Sequence, residues 1–142
     1  MPNTPKGLVE RFYHDLWNKA DAAVADEILA EDFLFRGSLG PEKRGPDGFV
    51  EYMLSVHKAL ANYVCIIEDL VVTEDQVAAK MLFKGIHQDA FFGVAATGRE
   101  ITWAGAAFFT ISDCRIAALW VLGDIDSVKQ QLGGASGTFE SD

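Results

Sequence analysis

Three histidines are the side chains here that ordinarily titrate near neutrality, and one of them, His87, closes an apolar row. From Val77 to Gln88 the chain alternates: Val77, Ala79, Met81, Phe83, Gly85 and His87 share one face, and Lys80 and Lys84 lie on the other. The lysines mark the wetter side, so the His87 row is expected to look inward. At the end of such a row, near the mouth of a pocket, an imidazole is either a hydrogen-bonded structural group or a general acid or base. His57 sits one residue from Val56 and is read as facing solvent or the helix flank, while His14 reads as a surface residue. Tyr13, Trp17, Tyr52, Phe83, Trp103 and Trp120 are large aromatics that suit either a core or the wall of a small-molecule pocket. Arg36, just past a short strand, could hold a carboxylate or carbonyl, or lie exposed. Cys65 and Cys114 lack Cys or His partners at ligand spacing, so no zinc site or disulfide framework is signalled and both are read as reduced, buried thiols.

These residues are carried by a simple order of elements. Leu8, Val9, Phe12, Tyr13, Leu16 and Trp17 recur at helical spacing over Pro5 to Lys19, and a second short helix runs from Ala22 to Ala30. Phe33 to Arg36 reads as a strand and Gly37 to Gly45 as a loop. A third helix starts near Pro46 and Asp47, with Phe49, Tyr52, Met53, Val56 and Leu60 as its buried stripe. Four strands follow as two hairpins: Tyr63 to Val72 with Val77 to Gln88, then Ile101 to Ile111 with Arg115 to Leu122. The second turn, at Ser112 to Cys114, pairs Ala107 with about Leu119 and Gly105 with about Val121. One face then holds Trp103, Gly105, Ala107 and Phe109 with Ala117, Leu119, Val121 and Gly123. A last amphipathic turn spans Ile125 to Leu132. Helices first and an antiparallel meander afterwards predict an α+β domain over residues 1–133, with a flexible tail at 134–142.

The bulk composition narrows the partners. The chain has 142 residues, enough for one domain with a substantial core. Its net charge of −9, with twelve basic residues scattered among twenty-one acidic ones, argues against nucleic acid. No apolar run approaches the ~20 residues of a membrane span, and the start lacks a signal-peptide pattern, so a cytoplasmic location is expected.

Several segments carry a resemblance: Ile67-Glu68-Asp69-Leu70-Val71, Phe83-Lys84-Gly85-Ile86-His87, and Phe92-Gly93-Val94-Ala95-Ala96-Thr97-Gly98-Arg99. Thr102-Trp103-Ala104-Gly105 follows, then Asp124 with Gln130-Gln131-Leu132-Gly133. In this order and spacing, covering most of the chain from Glu31 onward, they resemble the SnoaL-like polyketide cyclase family of the nuclear transport factor 2-like and ketosteroid isomerase-like fold class. The resemblance implies a cone: a strongly bent, mainly antiparallel sheet whose concave face is closed by three N-terminal helices. It also implies a homodimer packed through the outer sheet face, and chemistry without metal or organic cofactor.

The same resemblance sharpens the chemistry. Members are described with an acid/base Asp near the end of the last strand and a His on its neighbour; the matching positions here are Val121 and Ala107, which cannot exchange protons. Asp124 aligns with a second Asp that many members carry. It is either a base whose pKa burial would raise, reoriented by a bend at Gly123, or the N-cap of the terminal helix. The implied function is an apolar pocket for a small aromatic or polycyclic ketone or ester. Its chemistry would be a cofactor-free aldol cyclisation or isomerisation with Asp124 as base and His87 or a tryptophan N–H as donor. The alternative is a binding protein that holds such a ligand without turnover. A third reading is a dimerisation domain whose large inward aromatics, such as Phe83, Phe109 and Trp103, fill the pocket.

Overall fold

Thr4 starts the first helix by accepting a hydrogen bond from the Gly7 amide at 3.0 Å, with Pro5 in the first turn, where a missing N–H costs nothing. The computed structural model describes residues 4–38 and 42–133, so the tail at 134–142 lies outside the described residues. Helix α1 (Pro5–Arg11) does not run on as a regular α-helix: Phe12–Trp17 forms a π-helical segment, closed by Asn18 N–H to Tyr13 O at 2.9 Å. The wider turn brings two adjacent pairs, Phe12–Tyr13 and Leu16–Trp17, to the buried side together. Helix α2 (Ala22–Ile28) is capped by Asp21, and α3 (Gly45–Ala59) buries Phe49, Tyr52, Met53, Val56 and Ala59.

Six strands form one sheet: β1 (Leu29–Arg36), β2 (Glu42–Arg44), β3 (Leu60–Val72), β4 (Gln76–His87), β5 (Glu100–Ser112) and β6 (Arg115–Gly123). Their order is β2-β1-β6-β5-β4-β3, with β1 and β6 parallel and every other pair antiparallel. The fold is α+β, as expected. Three local expectations are corrected. Leu60, expected at the end of the third helix's stripe, instead opens β3 in an extended conformation. The segment read as a loop from Gly37 to Gly45 contains β2, a charged three-residue edge strand too short to show alternation. Strand β1 starts at Leu29 rather than Phe33, because a register shift between Leu29 and Leu34 hides its period.

The sheet curls. Helix α3 packs against both β1 and β3, which lie towards opposite edges, and only a sheet wrapped around the helix permits that. Bulges in β3, between Ala61 and Val64 and between Ile67 and Asp69, supply part of the bend. The core therefore sits inside the curl. Phe12 meets Phe49 at 5.1 Å and Phe109 at 5.5 Å between ring centroids, joining α1's extension, α3 and β5. Truncating any of these rings to Ala costs about 3–5 kcal/mol.

The inward row of β4 is as expected: Val77, Ala79, Met81, Phe83 and His87 are all buried. The β5–β6 register is not. The chain turns on Asp113 and Cys114 alone, both left-handed (φ 51° and 61°), a two-residue hairpin turn that leaves Cys114 exposed rather than buried, while Cys65 is buried as expected. Ala107 consequently pairs with Val121 and Gly105 with Gly123. A bulge opposite Thr110 and Ile111 absorbs Ala117, so Ile116 is buried in the place expected for Ala117. Beyond the bulge Leu119 and Val121 face inward, as the alternation predicted. Helix α4 (Ile125–Gln131) then closes one end, with Gln131 bonded to both backbone groups of Thr102.

Candidate functional site

The space between the helices and the inner sheet face is lined from the helices by Phe12, Tyr13, Trp17, Tyr52 and Val56. The sheet contributes Phe35, Tyr63, Phe83, Trp103, Leu119 and Val121, and Ser38 stands just beyond the end of β1. Of the aromatics singled out from the sequence, Tyr13, Trp17, Tyr52, Phe83 and Trp103 meet around this one lumen. The rings interlock: Trp17 lies 5.4 Å from Phe49 and 5.3 Å from Tyr63, and Phe83 lies 5.4 Å from Trp103. The seam encloses about 380 Å³ of non-atom space, part of it open to solvent, but only about 20 Å³ is wide enough for a water-sized sphere. That is room for about one water, against roughly 300 Å³ or more in a typical ligand site. The lumen is nearly filled by its own rings.

Its electrostatics are those of a neutral chamber. Burial pushes the Tyr13 and Tyr63 phenols well above the ordinary tyrosine range, and the nearby Cys65 thiol adds to the effect. Burial likewise raises the Cys65 thiol, partly opposed by its hydrogen bond with Tyr63. All three stay protonated at neutral pH. Trp103 Nε1 is buried and has no hydrogen-bond partner among the described residues. None of the described lining residues carries a carboxylate or an imidazole. Ala107 and Val121, directly paired across β5 and β6, are both buried on the inner face.

The other candidates lie elsewhere. His87 is fully buried, and its ring is fully engaged. The Thr97 amide donates to Nδ1 at 3.2 Å, which assigns the ring proton to Nε2; Thr97 Oγ1 also lies 2.9 Å from Nδ1. Nε2–H then donates to Val94 O at 3.2 Å. With its backbone bonded to Arg99 O and the Gly98 amide, His87 clamps both ends of the loop after β4. Asp124 is exposed and caps α4, accepting from the Ser127 amide at 3.2 Å. Of its two readings, the cap is the one the geometry displays. Arg36 and Trp120 do not reach the lumen: both lie on the opposite face of the sheet, directly paired between β1 and β6. The guanidinium stacks 5.5 Å over the indole and donates to Val121 O at 2.7 Å, so Arg36 holds backbone and ring rather than a ligand. His57 bonds Trp17 O from the flank of α3, and His14 is exposed.

Three lining residues escaped the sequence reading: Phe35, which lies inside a run read only as a short strand, Tyr63 and Ser38. Tyr63 follows Asn62, which adopts a left-handed φ of 54° inside the first β3 bulge, and that kink resets which β3 residues point inward. Ser38 belongs to a connection without periodicity, and nothing in the sequence marks it.

The model of the SnoaL-like polyketide cyclase family matches residues 7–132. The chain belongs to this family. Among solved structures, a candidate SnoaL-like polyketide cyclase from Jannaschia sp. CCS1 superposes with a TM-score of 0.83 at 17% identity, covering 94% of this chain and 96% of that one. TsrD from Streptomyces laurentii superposes with a TM-score of 0.79 at 26% identity, covering 90% and 93%. A SnoaL-like polyketide cyclase from Agrobacterium tumefaciens strain C58 gives 0.76 at 18% identity, covering 92% and 98%. The first and third likenesses speak for the fold alone. No curated protein sequence matches this SnoaL-like chain. Among its described residues no helix is long and apolar enough to cross a membrane, and no group of three or more His, Cys, Asp or Glu is placed to hold a metal ion.

Proposed function

We propose that this SnoaL-like chain holds a small, flat aromatic or polycyclic ketone or ester in its lumen and releases it without acid–base turnover. The observation that carries this reading is the buried cross-strand pair Ala107–Val121. In the family pattern these two positions carry the proton-transferring His and Asp, and here neither can accept a proton. The polar groups at the wall include the Tyr13 and Tyr63 phenols held protonated by burial, the Tyr52 phenol, the Ser38 hydroxyl and the Trp103 indole, and none of them is a carboxylate or an imidazole. Such a wall can bind a carbonyl oxygen, but abstraction of a proton from carbon needs a base that it lacks. Because the open space is about 20 Å³, entry of a ring requires the lumen aromatics to repack.

The test is deuterium exchange at the α-carbon of trial aromatic ketones, followed by NMR. The expected result is saturable ketone binding with no protein-dependent exchange, and exchange appearing when Val121→Asp and Ala107→His are installed together. Exchange by the unmodified protein that disappears in Asp124→Asn would overturn the reading and restore Asp124 as a base.

The nearly filled lumen supports a second reading, a structural module with no ligand, which complete failure to bind would favour. The partner proposal is common to both readings: a second copy of this chain on the outer sheet face. Val71, Ala78, Phe108 and Trp120 lie in one register row across β3, β4, β5 and β6, and Phe108, Trp120 and Leu122 are 53%, 44% and 53% exposed. An apolar stripe of that kind favours association.

A further inference from the structure

We propose that Trp103 Nε1 and Ser38 Oγ form a two-donor site over Gly123 for a single carbonyl or enolate oxygen of the ligand. This rests on the reading of the lumen as a binding chamber and adds the atoms that would orient the occupant. Three observations converge on it. The indole N–H lines the lumen, is buried, and has no acceptor among the described residues. A buried donor left without a partner is costly, and native chains seldom tolerate one without a function. The second observation is Gly123. A Cβ built there would lie 2.7 Å from Ser38 Cβ, 2.9 Å from Trp103 Nε1 and 3.1 Å from Ser38 Oγ, so both donors flank the same glycine and leave no room for a side chain on it. Any larger residue at 123 would push both donors out of place. The third is the surroundings: Tyr63 and Phe83 flank the indole with ring centroids 6.1 and 5.4 Å away, so a flat occupant whose oxygen meets the N–H would lie among aromatic faces.

The geometry also gives the chemical class. Both groups can donate and neither is charged, so the site favours a neutral or partly negative oxygen acceptor over a full carboxylate, which would enter a mainly apolar lining without a cation to balance it. The occupant is thus an aromatic ketone or ester with one inward oxygen, not an acid and not a plain hydrocarbon.

The experiment compares a naphthyl methyl ketone with ethylnaphthalene, nearly equal in shape, and with naphthoic acid. Binding is followed on the full chain by titration and by the indole N–H resonances in a nitrogen–proton NMR spectrum. The ketone is expected to bind about tenfold or more tightly than the hydrocarbon, in line with one buried hydrogen bond to an unpaired donor. The Trp103 resonance should move downfield with the ketone alone. Ser38→Ala, a small change beside the lumen, should reduce the ketone's advantage while leaving hydrocarbon affinity unchanged. Gly123→Ala should abolish it if the variant remains folded by circular dichroism. Equal binding of ketone and hydrocarbon, with a static Trp103 resonance, would overturn the donor site and leave lumen binding intact. Naphthoate binding as tightly as the ketone would also overturn it. If none of the probes bound, the binding reading itself would fall and the donor site with it.

Discussion

Raising the pH ionises ordinary thiols and phenols, but Tyr13, Tyr63 and Cys65 are held protonated in the folded chain because burial withholds water from their charged forms. In the unfolded chain the thiol releases its proton near pH ~8.5 and the phenols near pH ~10. Above those values the unfolded state binds fewer protons than the folded one, so stability must fall as pH rises. The contribution of these groups is intact below pH ~8.5 and is lost progressively above it, by about 1.4 kcal/mol per group per pH unit. Cys65 acts alone up to pH ~10, and beyond that all three act together at about 4 kcal/mol per unit. By pH ~11 the summed loss reaches about 6 kcal/mol as an upper value, comparable with the entire stability of many domains. Urea unfolding at stepped alkaline pH measures the slope, and tyrosinate absorbance in the near ultraviolet follows the phenols directly. Tyr13 and Tyr63 should stay silent until the chain unfolds. Tyr63→Phe removes one linked group and should flatten the steep limb by about a third. Reversible ionisation of Tyr13 and Tyr63 near pH ~10 with circular dichroism unchanged would refute the reasoning, since it would mean that the lumen is wet.

Two further outcomes follow from the geometry. His87→Ala leaves the Val94 carbonyl and the Thr97 amide without their partner, and should cost about 2–5 kcal/mol in urea unfolding. Faster hydrogen exchange should be confined to the loop after β4, and an unchanged exchange pattern there would contradict the clamp. Leu122→Lys places a charge on the exposed apolar stripe without touching the lumen. If a second copy covers that stripe, sedimentation should show monomer for the variant and dimer for the unmodified chain; identical sedimentation of the two would reject the interface.

The legible parts of this protein were those governed by local period. Helix α3 and strands β4 and β5 were placed within a few residues because each carries a full stripe or alternation, long enough to outweigh end effects. The inward row from Val77 to His87 was readable for the same reason, with Lys80 and Lys84 marking the wet side. What failed did so at irregularities. The π-helical segment, the β3 bulges and the bulge at Ala117 each insert or drop a residue, and a shift of one residue reverses the faces of a strand. A two-residue turn at Asp113–Cys114 followed by a bulge moved the β5–β6 register by two, so the inward faces kept their identity while the partners changed.

By itself, the sequence determined the α+β order and the inner row of β4. Those properties depend on side-chain type and spacing along the chain. Only the tertiary structure decided which aromatics meet, that Trp120 and Arg36 lie on the outer face, and that His87 is spent on clamping a loop. It also decided that the lumen is nearly filled and that Trp103 and Ser38 converge over Gly123. Each of these depends on how far the sheet curls and which residues its bulges absorb, quantities set by contacts between distant segments rather than by neighbours in the chain.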